Sequence, residues 1–123
     1  ARLSRSWNRR AMVDGGCTLC CGTDLPLLIP HLGDSIYSAC GGYFADGLEI
    51  NPQNAVSVSE LLRAWTAGVA YDLQREDDFG TLEAGKLADI CVLDRDVFAV
   101  DPKDARDIKV DLTVVDGRFV YES

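Results

Sequence analysis

The chain has 123 residues, of which 47% are hydrophobic and 8% aromatic, so it falls in the size range of a single globular domain with a moderate core. Its formal net charge of -8 argues against a nucleic-acid partner, because a phosphate-binding surface needs clustered lysine and arginine. No apolar run reaches the roughly 18 to 20 residues that cross a bilayer, and the start lacks the apolar core of a signal peptide. These features predict a cytoplasmic protein with neither a nucleic-acid nor a membrane partner.

The first predicted elements are a helix and a short buried strand. Residues 2–14 carry apolar side chains at helical spacing with arginines between them, which predicts an amphipathic helix ended by Gly15 and Gly16. We interpret its arginines as a solvated helix face, the alternative being a membrane-surface helix. The run 17–21 is short and apolar and is closed by Gly22, which is typical of a strand buried on both faces of a parallel sheet.

Five cysteines, an odd number, indicate free thiols more than a disulfide framework. The pair Cys17-x-x-Cys20 has the spacing of half a zinc ribbon, but no second pair follows at the right distance. We therefore predict buried, reduced thiols at these two positions.

The middle of the chain gives weaker signals. Residues 23–30 contain two prolines and predict a loop, and residues 33–44 predict a helix that glycines interrupt. Residues 46–55 have turn composition and predict a surface loop. A clear helix follows: Ser57 can cap it while Glu60 closes a capping box, and its apolar face extends to Leu73.

The last third of the chain changes to strand patterns. One strand is predicted at 88–94, and a hairpin at 109–115 and 118–122. The hairpin turn is Asp116-Gly117, a pair favoured in type I′ turns because both residues tolerate positive φ. The C-terminal part is therefore predicted to be β-rich.

The residues Gly22-Thr23-Asp24 stand where the predicted buried strand 17–21 ends. In α/β barrels, the loops at the C-terminal ends of the strands carry the catalytic residues. A carboxylate held there can bind a divalent metal or accept a proton from an attacking water. It can also simply cap its own loop by accepting hydrogen bonds from backbone amides two residues further on. The residues alone leave both interpretations open.

The tail carries the most specific pattern. Residues 80–94 read Gly-Thr-Leu-Glu-Ala-Gly-Lys-Leu-Ala-Asp-Ile-Cys-Val-Leu-Asp, which closely resembles the signature G-x-(L/I)-x-x-G-K-x-A-D-(I/L)-x-(V/L)-(L/V)-D near the end of amidohydrolase-superfamily chains. Residues 114–121 resemble the terminal V-x-x-G-x-x-V-Y hairpin of the same families. Residues 59–70 are similar to their E-A-L-x-x-x-T-x-x-x-A helix.

Within the superfamily, the chain most resembles the type-3 amidohydrolases. In that branch a helix, a glycine, a buried strand and the motif G-(S/T)-D-x-P follow in this order, and here the motif reads Gly22-Thr23-Asp24-Leu25-Pro26. The match implies that Asp24 is the aspartate at the end of the last barrel strand. In the family this residue lies next to the catalytic metal and handles the proton of the attacking water.

The resemblance implies an α/β fragment. Residues 1–73 would be the last helix-strand-helix of a TIM-type barrel, and residues 79–123 would be part of a small β-sandwich that the family builds from both chain ends. It also implies a small-molecule substrate and a divalent metal, with zinc as the expected ion. His31, seven residues after Asp24, is a candidate substrate contact, the alternative being an ordinary loop histidine.

The family's His-x-His pair and its ligands on the middle strands have no counterpart in this sequence, where His31 is the single histidine. A catalytic zinc requires about three protein ligands. Asp24 would therefore bind metal only together with ligands absent from this chain, and the chain alone is expected to be inert.

Two functions follow as hypotheses. The first is the C-terminal part of a metal-dependent amidohydrolase that hydrolyses a carbon–nitrogen bond other than an ordinary peptide bond. The second is a non-catalytic structural or oligomerising fragment. A barrel cut before its last strand leaves an unpaired edge, so we expect self-association through that edge.

Overall fold

A computed structural model describes residues 5–22, 31–49 and 51–123. These residues form the helices α1 (Arg9–Asp14), α2 (Leu32–Ala39), α3 (Val58–Trp65) and α4 (Ala67–Asp72), the strands β1 (Ile90–Leu93), β2 (Val110–Val115) and β3 (Arg118–Glu122), and the 3-10 helices Pro52–Asn54 and Pro102–Asp107. None of the described helices is long and apolar enough to cross a membrane.

One buried apolar cluster lies between α2, α3 and the 3-10 helix Pro102–Asp107, called the 102–107 helix below. Its members are nearly inaccessible to solvent: Ile36, Ala39, Val56, Leu61, Val97, Ala105 and Ile108. The cluster takes residues from both of the predicted ranges, 1–73 and 79–123. The C-terminal part of the chain therefore packs directly against the helices that precede it.

The N-terminal helix is shorter than predicted. It begins after Asn8, whose side chain accepts a hydrogen bond from the Ala11 amide (3.0 Å), and it ends at Gly15, as predicted. Trp7 precedes the helix with a φ of 55° and is 70% exposed. Its indole is therefore not part of a buried helix face, and the described residues before Asn8 are not α-helical.

The predicted buried strand at 17–21 is not a strand in this structure. Strands need a ladder partner, and no described strand pairs with this segment. Its backbone contacts α3 instead, through a hydrogen bond from the Cys21 amide to the Ala64 carbonyl (3.1 Å). Cys17 and Cys20 are exposed, so the prediction of buried thiols at this pair is wrong.

The middle of the chain follows the predictions in outline. The weak helix predicted at 33–44 corresponds to α2, which ends at Ala39, and the predicted surface loop 46–55 contains the 3-10 helix Pro52–Asn54. The predicted loop 23–30 lies outside the described residues.

The capping box is confirmed. The Ser57 hydroxyl accepts from the Glu60 amide (3.2 Å), and the Glu60 carboxylate accepts from the Ser57 amide (2.8 Å). The single helix predicted to reach Leu73 is instead divided into α3 and α4 at Thr66, where ψ is -88°. The Thr66 hydroxyl donates to the Leu62 carbonyl (2.9 Å), a local bond that commonly accompanies a bend.

The three strands predicted in the last third of the chain are confirmed. β1, β2 and β3 form an antiparallel sheet in that order, with Cys91 opposite Thr113 and Thr113 opposite Tyr121. Asp116 and Gly117 have φ values of 49° and 74°, as a type I′ turn requires. The turn chemistry therefore sets the pairing next to it, Val115 with Arg118, and a β-bulge shifts the register between Val114 and Thr113.

A salt bridge connects α1 to the capping box of α3. Both carboxylate oxygens of Glu60 accept hydrogen bonds from the Arg10 guanidinium, at 2.8 and 2.9 Å, and Arg10 also donates to Asp14 (2.8 Å). The bond from Arg10, followed by those from Ser57, lowers the pKa of Glu60 from 4.5 to about 2.

We expect this salt bridge to make stability depend on pH in the acid range. The pKa of Glu60 is lower in the folded state, so Glu60 stabilises the fold above pH 4.5 and loses that contribution as the pH falls to about 2. The measurement is the urea midpoint of the wild type and of Glu60→Gln at a series of pH values. The difference between the two should shrink with acidification, and a constant difference would contradict the assignment.

Candidate active site

Asp24, the predicted catalytic residue, belongs to the segment 23–30 that the structure does not describe. The residues on either side of this segment, Gly22 and His31, are described. The described structure therefore shows the residues on the two sides of Asp24: those up to Gly22, called the leading chain, and those from His31 onward.

The chain leading to Asp24 lies against α3 and α4. Cys21 is hydrogen-bonded to the Ala64 carbonyl in α3. On α4, a Cβ at Gly68 would collide with the carbonyl oxygen of Leu19, so the absence of a side chain at Gly68 allows the two backbones to approach closely. This packing fixes the direction in which the chain reaches Gly22.

The chain leaving the segment begins with His31, which caps α2. Its Nδ1 accepts a hydrogen bond from the Gly33 amide (3.2 Å). A neutral imidazole that accepts at Nδ1 carries its proton on Nε2. The His31 side chain is exposed, so the Nε2–H group is available as a donor.

A surface groove of about 450 Å³ reaches Gly22, at the end of the chain that leads into the undescribed segment; His31 is not among the residues that line it. Its lining includes Gly22 from the leading chain, Asp34 and Tyr37 from α2, Trp65 from α3 and Arg106 from the 102–107 helix. The groove combines aromatic rings with charged groups, a composition that suits a small polar ligand.

Arg106 is the best-connected charged residue of this groove. Its Nε donates to Asp34 Oδ1 (2.7 Å), its Nη1 donates to the Ala45 carbonyl (3.2 Å), and its guanidinium lies 4.6 Å from the centre of the Tyr37 ring. The hydrogen bond to Asp34 raises the pKa of Arg106. Sequence analysis missed this residue, because 72 positions separate it from Asp34 and no motif spacing connects them.

The described residues do not fit a metal centre. Among residues 5–22, 31–49 and 51–123, no three histidine, cysteine, aspartate or glutamate side chains form a metal-binding group. Burial raises the pKa of the Cys40 thiol to about 11 and also raises that of Cys21. Thiols with a raised pKa stay protonated at neutral pH and are poor ligands and nucleophiles.

Comparison with known proteins identifies the family. The family model described as "Amidohydrolase family" matches residues 1–121. The chain belongs to the amidohydrolase family. This match confirms the resemblance to the type-3 amidohydrolases that the motifs predicted.

Two curated relatives are similar to almost the whole amidohydrolase chain. An N-substituted formamide deformylase of Arthrobacter pascens is 32% identical over 113 residues, which are 92% of this chain and 21% of that protein. The putative amidohydrolase YtcJ of Bacillus subtilis strain 168 is 27% identical over 124 residues, 98% of this chain and 23% of the relative. The amidohydrolase chain thus spans less than a quarter of either relative.

A solved structure shares the fold. The crystal structure of an amidohydrolase from Thermotoga maritima MSB8 matches with a TM-score of 0.66 and 23% identity, covering 95% of this chain and 26% of that one. At this identity the match supports the fold alone. The amidohydrolase chain itself is a small α/β unit with a three-stranded antiparallel sheet.

Proposed function

We propose that this chain is the C-terminal part of a metal-dependent amidohydrolase that hydrolyses a carbon–nitrogen bond, other than an ordinary peptide bond, in a small molecule. The observation that carries the proposal is the family match over residues 1–121, which includes the motif Gly22-Thr23-Asp24-Leu25-Pro26. One relative is named an N-substituted formamide deformylase, so N-substituted formamides are the first substrate class to test.

In this proposal Asp24 is the general base and then the general acid. Water adds to the carbonyl carbon while Asp24 takes its proton, and Asp24 returns that proton to the nitrogen as the carbon–nitrogen bond breaks. The products are a carboxylic acid and an amine. A positioned group in this role contributes about 10²- to 10⁴-fold to the rate. His31, on the other flank of the same segment, contacts the substrate.

The complete enzyme would also hold a divalent metal, which we propose to be zinc, because such an ion polarises a carbonyl and acidifies water. Asp24 would be one of its ligands. The remaining ligands would come from parts of the enzyme absent from this chain, because the chain has a single histidine and no His-x-His pair. A catalytic zinc needs about three protein ligands, so the 123-residue chain by itself is proposed to be inactive.

The architecture we propose has two parts, with residues 1–73 as the end of a TIM-type barrel and residues 79–123 as part of a β-sandwich. Segment 17–22 supports the first part, since an apolar segment of this kind becomes a strand when neighbouring strands pair with it. The sheet supports the second: Phe119 and Val120 are 74% and 59% exposed, as expected of strands that pack on a second sheet. We place the protein in the cytoplasm.

The proposal is tested with the full-length protein, N-substituted formamides and an assay of released formate. We expect hydrolysis by the full-length protein, loss of activity with a zinc chelator and recovery when zinc is added back. The 123-residue chain at the same concentration should show no hydrolysis above the buffer control. Failure of the full-length protein on a broad panel of small amides and cyclic amides would disprove the proposed activity.

A second candidate is a structural or oligomerising role without catalysis. The exposed apolar side chains of the sheet and of the segment before it, including Phe119 and Leu82 at 74% and 78% exposure, favour self-association of the isolated chain. The proposed barrel edge at 17–22 would take part. Size-exclusion chromatography over a range of concentrations distinguishes the outcomes, because a monomer at high concentration contradicts this role.

A further inference from the structure

Helix α2 packs against the 102–107 helix. A Cβ at Gly33, in the first turn of α2, would collide with the carbonyl oxygen of Ala105, and its distances to the Ala105 carbonyl carbon and the Arg106 Cα would be 2.8 Å. Ile36, one turn further on, is buried in the same core cluster as Ala105 and Ile108. The two helices therefore meet backbone to backbone at the start of α2, with apolar packing directly after.

Arg106, in the 102–107 helix, adds three further contacts to this packing. It binds the first turn of α2 through Asp34 (2.7 Å) and packs on the middle of the helix at the Tyr37 ring (4.6 Å). Beyond the helix it binds the carbonyl of Ala45 (3.2 Å). Because a guanidinium is planar and carries several donors in a fixed fork, these contacts hold α2 and the following loop in one orientation relative to the 102–107 helix.

The orientation of α2 in turn determines where the His31 ring points. His31 is the residue before α2, and its Nδ1 is occupied by the Gly33 amide. The remaining ring donor, Nε2–H, therefore has a direction set by the first turn of the helix. A shift of that turn would move this donor.

We propose that Arg106 is a positioning residue for substrate binding: by holding the first turn of α2, it aims the His31 Nε2–H group at an acceptor oxygen of the substrate. The inference rests on the proposed function, in which His31 contacts substrate. It assigns the substrate a carbonyl or carboxylate oxygen within reach of that donor, and it gives the C-terminal part of the chain a role in binding besides its part in the core.

The test uses the full-length enzyme with an N-substituted formamide that it hydrolyses. His31→Asn removes the Nε2–H donor, yet asparagine is a favoured helix N-cap and keeps an acceptor for the Gly33 amide. Arg106→Met removes the polar contacts and keeps much of the side-chain volume. The loss of one binding hydrogen bond corresponds to roughly a 2- to 10-fold rise in KM, and we expect each variant to show it with kcat little changed.

The double variant separates positioning from a general effect on folding. If Arg106 acts through His31, Arg106→Met combined with His31→Asn should raise KM no more than His31→Asn alone, whereas independent effects would multiply. Arg106→Lys, which keeps the charge beside Asp34, should recover part of the lost affinity. Multiplying effects, or an unchanged KM in Arg106→Met, would overturn the inference.

The matched control is Arg75→Met. Arg75 also pairs with an aspartate, Asp78 (2.8 Å), and lies 5.2 Å from the centre of the Phe79 ring, and neither of these partners belongs to α2. Its variant should leave KM unchanged.

The proposed function fails separately, if the wild-type enzyme hydrolyses no amide or if Asp24→Asn retains full turnover. The inference on Arg106 fails when Asp24 proves essential and the KM of Arg106→Met stays at the wild-type value.

Discussion

Asp24→Asn should lower kcat of the full-length amidohydrolase by about 10²- to 10⁴-fold, the range that a positioned general base contributes. Asparagine has nearly the same shape as aspartate, but its amide does not take a proton from the attacking water. Substrate contacts made by other residues would remain, so KM should change much less than kcat. The measurement is steady-state kinetics of amide hydrolysis with wild type and variant at saturating substrate.

The same substitution also tests the structural interpretation of Asp24. If its carboxylate only caps the loop, the asparagine oxygen would accept the same backbone hydrogen bonds and activity would persist. Asp46→Asn is the matched control, because Asp46 is an exposed loop residue whose carboxylate accepts from the Leu48 amide (3.1 Å). It should keep wild-type kcat. Full turnover in Asp24→Asn would remove Asp24 from the mechanism.

Gly33→Ala is expected to destabilise the fold by about 1–3 kcal/mol, the usual cost of forcing extra volume into a packed contact. The added Cβ would overlap backbone atoms of Ala105 and Arg106, and neither can rotate away as a flexible side chain would. Alanine favours a helix over glycine by about 1 kcal/mol, which offsets only part of this cost. Urea unfolding of the 123-residue chain, followed by circular dichroism, measures the difference.

Gly22→Ala provides the comparison. A Cβ at Gly22 would meet no atom of the described residues within 4 Å, and the φ of Gly22 lies outside the positive range. This variant should therefore unfold within about 0.5 kcal/mol of wild type. If Gly33→Ala were equally stable, the close approach of α2 and the 102–107 helix would be wrong. The proposed role of Arg106 would then lose its structural basis.

Predictions that depended on local chemistry succeeded. The Ser57–Glu60 capping box is a matter of two side chains three residues apart, and the Asp116-Gly117 turn depends on which residues tolerate positive φ. Both were found as predicted. The same holds for β1 and the hairpin, whose alternating and β-branched residues favour strands wherever a partner strand is at hand.

Predictions that depended on distant partners were less successful. The apolar run 17–21 was predicted as a buried strand from its composition, but burial and pairing require neighbouring strands, and no described strand pairs with this run. The break at Thr66 was also missed, because its apolar neighbours continue the helical spacing through it. The roles of Asp24 and His31 remain predictions.

The sequence by itself determined the family, the capping of α3 and the hairpin, since each is encoded in residues close together along the chain or in a motif read directly. The tertiary structure alone decided that the 102–107 helix supports α2. That contact joins Gly33 to Ala105 and Asp34 to Arg106, pairs more than seventy positions apart. Such contacts depend on the packing of the whole core, and a glycine or arginine in a sequence does not reveal which distant backbone or carboxylate it will meet.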